Sequence, residues 1–433
     1  MATKSRHSVF LPSLPPEVWI CIFEHATYVP GTMVPEIYEH SSLIGPLYNR
    51  KYHPPLREAL VTKRSLVRVC KQWWHLASQF LYQSIYIGRM RSLTPLRSTL
   101  MCSAAGIGTL TGNWPLGTYT RRLDLAIRDY SVPPGDSGIL DTLPDVIDCL
   151  QSLEIVSFAI SNQLILMPNG LLDALKNSAG SLRVLDWSPE LRVTPTDRLF
   201  VFLAACTQLR ILSFPYLRWS EELKPGNLTS TIATLRVQSL LTPSLYPPSQ
   251  PDDLLDPRDT SSALRELIID VRDNVQHWEG FLRHYGGRLT AVQLQFTEPP
   301  TFTLPLFHGY MQLLARACPV LRRITLSVID FSFNAQQPLE LPPVEYFGLR
   351  AHTFQSRRSE FQSLFSTLAK LRTTTPSLRV VQLTDPHNVN CLLRSHPKLA
   401  VRALKHELSG SPFRLEDHDG DLLEDRLKAL GHM

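Results

Sequence analysis

Three stretches of this 433-residue chain bring together residue types that could do chemistry. Gly135-Asp136-Ser137-Gly138 sets a serine beside an acid between glycines, as a hydrolase nucleophile turn does. It follows Pro133-Pro134, has no histidine and aspartate partners in a matching context, and reads as a turn. His277, Glu279 and His284 could offer nitrogen and oxygen ligands. A helical zinc site spaces its two histidines at i and i+4, so these residues read as the polar face of a helix. Asp417, Asp419, Gly420 and Asp421 are spaced like part of a calcium loop, but Leu415 stands at the first ligand position and Arg426 at the last, which leaves an acidic turn. Neither GxGxxG nor GxxxxGKS/T occurs. No catalytic residue, metal or cofactor is expected.

The seven cysteines (Cys21, Cys70, Cys102, Cys149, Cys206, Cys318, Cys391) are odd in number and widely spaced, which excludes a disulfide framework or a CxxC site. They are expected to serve as small core residues in a reducing compartment. No apolar run reaches the roughly 18 residues of a membrane span, and the N-terminus shows no secretory core. An intracellular protein of cytoplasm or nucleus is the expectation, with no membrane partner. Hydrophobic residues are 43% and charged residues 19% of the chain, against roughly 25% charged in an average soluble protein, which excludes a disordered polyelectrolyte. The net charge of +5 is uneven, because residues 1–110 hold 12 Lys/Arg and 5 Asp/Glu. A basic face of this kind is usually solvated rather than a nucleic-acid footprint.

The elements that would position a function fall into two groups. Ser13, Pro15, Pro16 and Glu17 are start signals for a helix, in which Val18, Trp19, Ile22, Phe23 and Ala26 form an apolar stripe. A second amphipathic stretch spans about Leu56 to Phe80, with Leu66, Val69, Cys70, Trp73, Trp74 and Ala77 on one face. Between them Val29 to Pro55 holds five prolines and two glycines and reads as a loop. Two or three short helices cannot close a core, so surplus apolar surface is expected to bind a protein.

Leu14-Pro15-Pro16-Glu17 with Ile22-Phe23, then Leu66-Val67-Arg68-Val69-Cys70-Lys71-Gln72-Trp73 with Leu76-Ala77, then Phe80-Leu81-Tyr82, resembles the F-box in residues and in order. The F-box is the helical module that docks on the Skp-type adaptor of cullin-RING ubiquitin ligases. The chain departs from a compact F-box by the insertion at 29–55, a feature similar to F-box proteins of mushroom-forming fungi. The resemblance implies an adaptor-binding set of Leu14, Pro15, Glu17, Ile22, Phe23, Leu66, Val69, Cys70 and Trp73.

From about residue 80 the chain carries segments of the form L-x-x-L-x-L, whose apolar positions alternate as in a strand with one buried face. They lie at Tyr82-Ile85-Ile87, Leu153-Val156-Phe158, Leu182-Leu185-Trp187, Leu209-Leu212-Phe214, Ile232-Leu235-Val237, Leu264-Leu267-Ile269, Leu289-Val292-Leu294, Leu321-Ile324-Leu326, Val344-Phe347-Leu349 and Leu378-Val381-Leu383, with a degenerate one at Thr120, Leu123 and Leu125. Helical patterns separate them at Ile139–Leu150, Leu171–Asn177, Asp197–Cys206, His277–Tyr285, Leu306–Ala317 and Glu360–Leu371. The chain resembles an irregular leucine-rich repeat array, a domain that pairs with the F-box. The expected fold is α/β: an N-terminal helical module, then a solenoid with a parallel inner sheet. The expected divisions are a tail at 1–10, the F-box-like domain at 11–81, the repeats at 82–387, and a helical cap at 388–433 with helices near Leu399–Leu408 and Leu422–Leu430. The Pro-rich stretch Leu241 to Ser262 is expected to be a rim loop.

The side chains between the buried positions of each segment should form a displayed face: Asp186 and Ser188, Ile211 and Ser213, Glu266 and Asp270, Gln293 and Gln295, Arg323 and Thr325, Gln382 and Thr384. This mixture of both charge signs with amides and hydroxyls suits a protein ligand, whereas a nucleic-acid groove would be lined by Lys and Arg. The expectation is a non-catalytic substrate receptor, joined to a cullin through a Skp-type adaptor and holding a protein substrate on the repeats. The alternatives are a repeat scaffold whose F-box-like hairpin is only a cap, and an enzyme with an unrecognised site.

Overall fold

A computed structural model describes residues 14–34, 46–107, 114–127, 137–158, 165–168, 170–187, 191–192, 197–218, 232–241, 263–271, 275–296, 304–331, 339–352 and 357–433. The chain divides into two compact units, Met1–Val184 and Leu185–Met433. The tail at 1–10, Ser13, Gly135-Asp136, Ser188 and all but the first residue of the Leu241–Ser262 stretch lie outside the described residues. No described helix is long and apolar enough to cross a membrane.

The first unit opens with three helices, α1 (Pro16–Thr27), α2 (Pro46–Leu66) and α3 (Lys71–Gln83), which pack on one another. Two expectations are corrected here. The Pro-containing stretch expected to be a loop as far as Pro55 is already helical from Pro46, with Pro54 and Pro55 inside the helix, where neither can donate an amide hydrogen bond. The single helix expected over Leu56–Phe80 is broken by a turn at Val67–Val69. Cys70 caps α3, its Sγ accepting from the Trp73 amide at 3.4 Å, so the residues on either side of the turn no longer share one helical face.

Beyond α3 come the strands β1 (Ser84–Ile87), β2 (Arg122–Leu125), β3 (Ile155–Phe158), β4 (Val184–Trp187), β5 (Ile211–Arg218), β6 (Thr234–Leu241), β7 (Glu266–Asp270), β8 (Ala291–Gln295), β9 (Arg323–Val328), β10 (Tyr346–Ala351), β11 (Val380–Leu383) and β12 (Arg414–Glu416). Within each unit, successive strands are hydrogen-bonded neighbours in chain order. Pairing is parallel from β1 to β3 in the first unit and from β5 to β12 in the second. Parallel neighbours need crossovers. Between the strands in sequence lie helices at Leu93–Ala104 (α4), Leu143–Asp148 (α5), Leu171–Lys176 (α6), Asp197–Ala205 (α7), Gln276–Tyr285 (α8), Leu304–Ala317 (α9), Arg358–Thr374 (α10), and Pro386–Ser395 with Pro397–Arg402 (α11, α12); α13 (Leu423–Ala429) follows β12.

All eleven apolar segments read from the sequence fall on strands, and the register shows why they recur. Leu212, Leu235, Leu267, Val292, Ile324, Phe347, Val381 and Leu415 stand side by side across β5 to β12, all buried. The row two residues on holds Phe214, Val237, Ile269, Leu294, Leu326, Leu349 and Leu383. Each fully buried side chain of this size contributes about 1.5–3 kcal/mol. β12 had no such signal, since Pro412 occupies its first apolar position, and it adds a strand to the expected helical cap. Two glycines set the closeness of successive turns. A Cβ on Gly117 would lie 2.0 Å from the Cys149 carbonyl oxygen, and one on Gly286 would lie 2.3 Å from that of Ala317.

The cysteine expectation holds for two thiols. Cys206 and Cys318 are buried, and burial pushes each up to about 12. Cys21 and Cys102 are exposed on helices, Cys70 and Cys149 are half-buried at helix ends, and Cys391 is half-buried within α11.

Candidate functional site

The helical module separates the nine adaptor-set residues into two groups. Trp19, Phe23, Ala77 and Phe80 make its core, with Leu14, Leu66, Val67, Trp73 and Leu76 packed around them. The Trp73 ring lies 4.8 Å from both Trp19 and Phe23, tilted against the first and edge-on to the second, as aromatic quadrupoles favour. Leu14, Phe23, Leu66 and Trp73 are therefore packing residues, and Cys70 is a half-buried helix cap. Pro15, Glu17, Ile22 and Val69 are exposed, Ile22 by 43% and Val69 by 50%. Val18, assigned by sequence to the buried stripe, is 41% exposed. With Ile22 four residues on, it forms an apolar ridge along the outer side of α1. The stripe is wider than the core it faces. Nearby on α2, Lys63 is buried, and burial lowers its ammonium to about 8.

The face expected to be displayed for a substrate is corrected by the structure, because much of it is interior. Asp270, Gln293, Gln295 and Thr325 are buried, as is Ser213, while Asp186, Glu266 and Gln382 are half-buried and Arg323 is exposed. Neighbouring strands lie about 4.8 Å apart, so long side chains lean across the ladder and cover their neighbours. Arg236 donates to the Gln295 Oε1 at 3.0 Å and lies 3.6 Å from Asp270. Arg323 stacks over the Tyr346 ring at 4.1 Å, and the Tyr346 hydroxyl donates to Gln382. A Cβ on Gly348 would meet the Thr325 hydroxyl at 2.8 Å. The amide nitrogen of Gln293 has no hydrogen-bond partner among the described residues.

A polar cluster not foreseen from sequence collects at the carboxyl ends of β7 to β11. Arg350 is buried 3.3 Å from Asp385, which caps α11 by accepting from the His387 and Asn388 amides. His352 meets the Ser327 hydroxyl at 3.0 Å. Burial first, and then the Arg350 and Arg236 charges, hold its imidazole down to about 4, with Asp385 opposing, so it is neutral at pH 7. The signal available in the sequence was the charge just after each apolar segment, which alternation alone could not mark as buried.

The other chemical candidates resolve locally. Glu279 is engaged by Arg283 at 2.7 Å, one turn along α8, and His284 packs edge-on to Tyr285, while the His277 side chain lies outside the described residues. Asp417 and Asp419, with His418, can bring one ligand atom each within 4.8 Å of one another. Asp417 is nevertheless committed to the chain itself: it accepts from the Asp419 and Asp421 amides at 2.9 and 3.0 Å and pairs with Arg426 at 3.0 Å, as an acidic turn does. No protein-family model matches the chain, and no curated protein matches it in sequence.

Proposed function

We propose that the chain is the substrate-recognition subunit of a cullin-RING ubiquitin ligase, with an F-box at the N-terminus and an irregular leucine-rich-repeat solenoid after it. The Skp-type adaptor docks on the outer side of α1 and the turn before α3. The observation carrying this reading is the division of the motif residues together with the α1 stripe, in which Trp19, Phe23 and Trp73 close the small core and Pro15, Val18, Ile22 and Val69 remain at the surface. An apolar ridge on so small a module suits a protein partner. The protein substrate is held by the half-buried and exposed part of the strand face, with Glu266, Arg323 and Gln382 its accessible residues. The ligase chemistry belongs to other subunits.

The test is capture of a recombinant Skp-type adaptor by the full chain. Val18→Asp with Ile22→Asp replaces exposed residues, so it should leave the unfolding midpoint nearly unchanged and weaken capture by more than tenfold. Phe23→Ala, which empties part of the core, should instead cost about 3–5 kcal/mol of stability. Undiminished capture by the double aspartate variant refutes the assignment. A second reading, in which the helices merely cap the strands behind them, is favoured by the buried bond from Arg122 to Thr32; it predicts no adaptor capture at all.

A further inference from the structure

We propose that the groove between α2 and the carboxyl ends of β1 and β2 is a binding site for an anionic peptide segment, separate from the adaptor face and independent of it. The cavity is about 770 Å³, within the range of roughly 300–1,000 Å³ typical of ligand sites. One lip is the side of α2 that carries Arg57, Val61 and Arg64 at i, i+4 and i+7, and the other carries Tyr86, Arg89 and Ser92. Ala126, just past the end of β2, lies in its wall.

Three arginines converge here against one acid, Glu58, and none of the three has an acidic partner within ion-pair distance among the described residues. Guanidinium groups bind carboxylates and phosphates through paired hydrogen bonds, so the ligand carries acidic or phosphorylated side chains. Val61, 64% exposed between Arg57 and Arg64, calls for an apolar side chain beside the anion. A peptide alternating acidic and apolar residues offers both. A nucleic-acid strand would leave Val61 and Leu60 unmatched and would find a single aromatic, Tyr86, in place of a stacking series. The Tyr86 ring lies against Gly88, where a Cβ would come 3.1 Å from the ring, so the glycine leaves room for the wall to take this form.

The experiment is fluorescence anisotropy with the full chain and labelled probes: a Glu/Leu-alternating peptide, its phosphoserine analogue, its Gln/Leu analogue and a short oligothymidine. Both anionic peptides should bind at least tenfold more tightly than the Gln/Leu peptide, with affinity falling as salt rises to about 0.15 M. The tighter of the two identifies carboxylate or phosphate as the natural anion. Arg57→Glu, Arg64→Glu and Arg89→Glu together should lose at least tenfold, and Arg64→Gln alone severalfold, with the thermal midpoint unchanged because all three arginines are exposed. Equal binding of the Gln/Leu peptide, unchanged binding by the charge-reversed protein, or preference for oligothymidine over both peptides overturns the proposal. Adaptor capture is unaffected by these variants, so the outcome is separable from that of the adaptor test.

Discussion

The guanidinium of Arg122, at the start of β2, donates to the main-chain carbonyl of Thr32 at 2.6 Å across 90 residues of sequence. The same group is paired with Asp124 on its own strand, at 2.6 and 2.9 Å, and both side chains are almost wholly buried. Arg122 and Asp124 stand one residue to either side of Leu123, on the strand face opposite the apolar row. The segment after α1 is thus tied to the second strand by a satisfied, water-excluded charge pair.

Arg122→Ala should lower stability by about 3–5 kcal/mol, because it strands the buried Asp124 carboxylate and the Thr32 carbonyl together. Arg122→Met with Asp124→Leu, which removes both charges and keeps volume, should recover most of that loss. Urea unfolding of the three proteins checks this; equal losses in the single and double variants would show that packing, not charge, is at stake.

Protonation of His352 opposes folding, since its imidazole titrates near 6.5 in the unfolded chain and near 4 in the folded one. The stability tied to the neutral ring is therefore complete above about pH 6.5 and is lost progressively as pH falls toward 4. Wild-type protein should show a falling denaturation midpoint across that window. His352→Gln, which can keep the bond to Ser327 and cannot titrate, should show a visibly flatter profile. Parallel profiles for the two proteins would refute the assignment.

Thiol labelling should divide the cysteines by burial. Cys21 and Cys102 should react with a maleimide within minutes in the folded protein, whereas Cys206 and Cys318, buried and held near 12, should react only on unfolding. Mass spectrometry of the labelled peptides reads this directly. Early labelling of Cys318 would mean that the end of α9 opens readily.

Strand positions were legible in the sequence because they follow from a local rule. In Leu264-Leu267-Ile269 or Leu321-Ile324-Leu326 every second side chain must leave water, and that spacing repeats in every strand of the sheet before β12. The helix starting at Pro16 was equally local, written in its prolines and Glu17. Tertiary structure alone decided what the intervening side chains do. Asp270, Gln293, Gln295 and Thr325 looked like a solvated face, but their burial depends on how far Arg236 and the side chains of neighbouring strands reach across the ladder, which alternation does not encode. The same holds at the N-terminus, where Val18 and Ile22 share the composition of a core stripe with Phe23 and differ from it only in the side of α1 that α3 covers. Nor could spacing announce that Arg122 would meet Thr32. A pairing across so many residues follows from where two elements pack, and the sequence at either end specifies only that a buried charge and a free carbonyl must each find a partner.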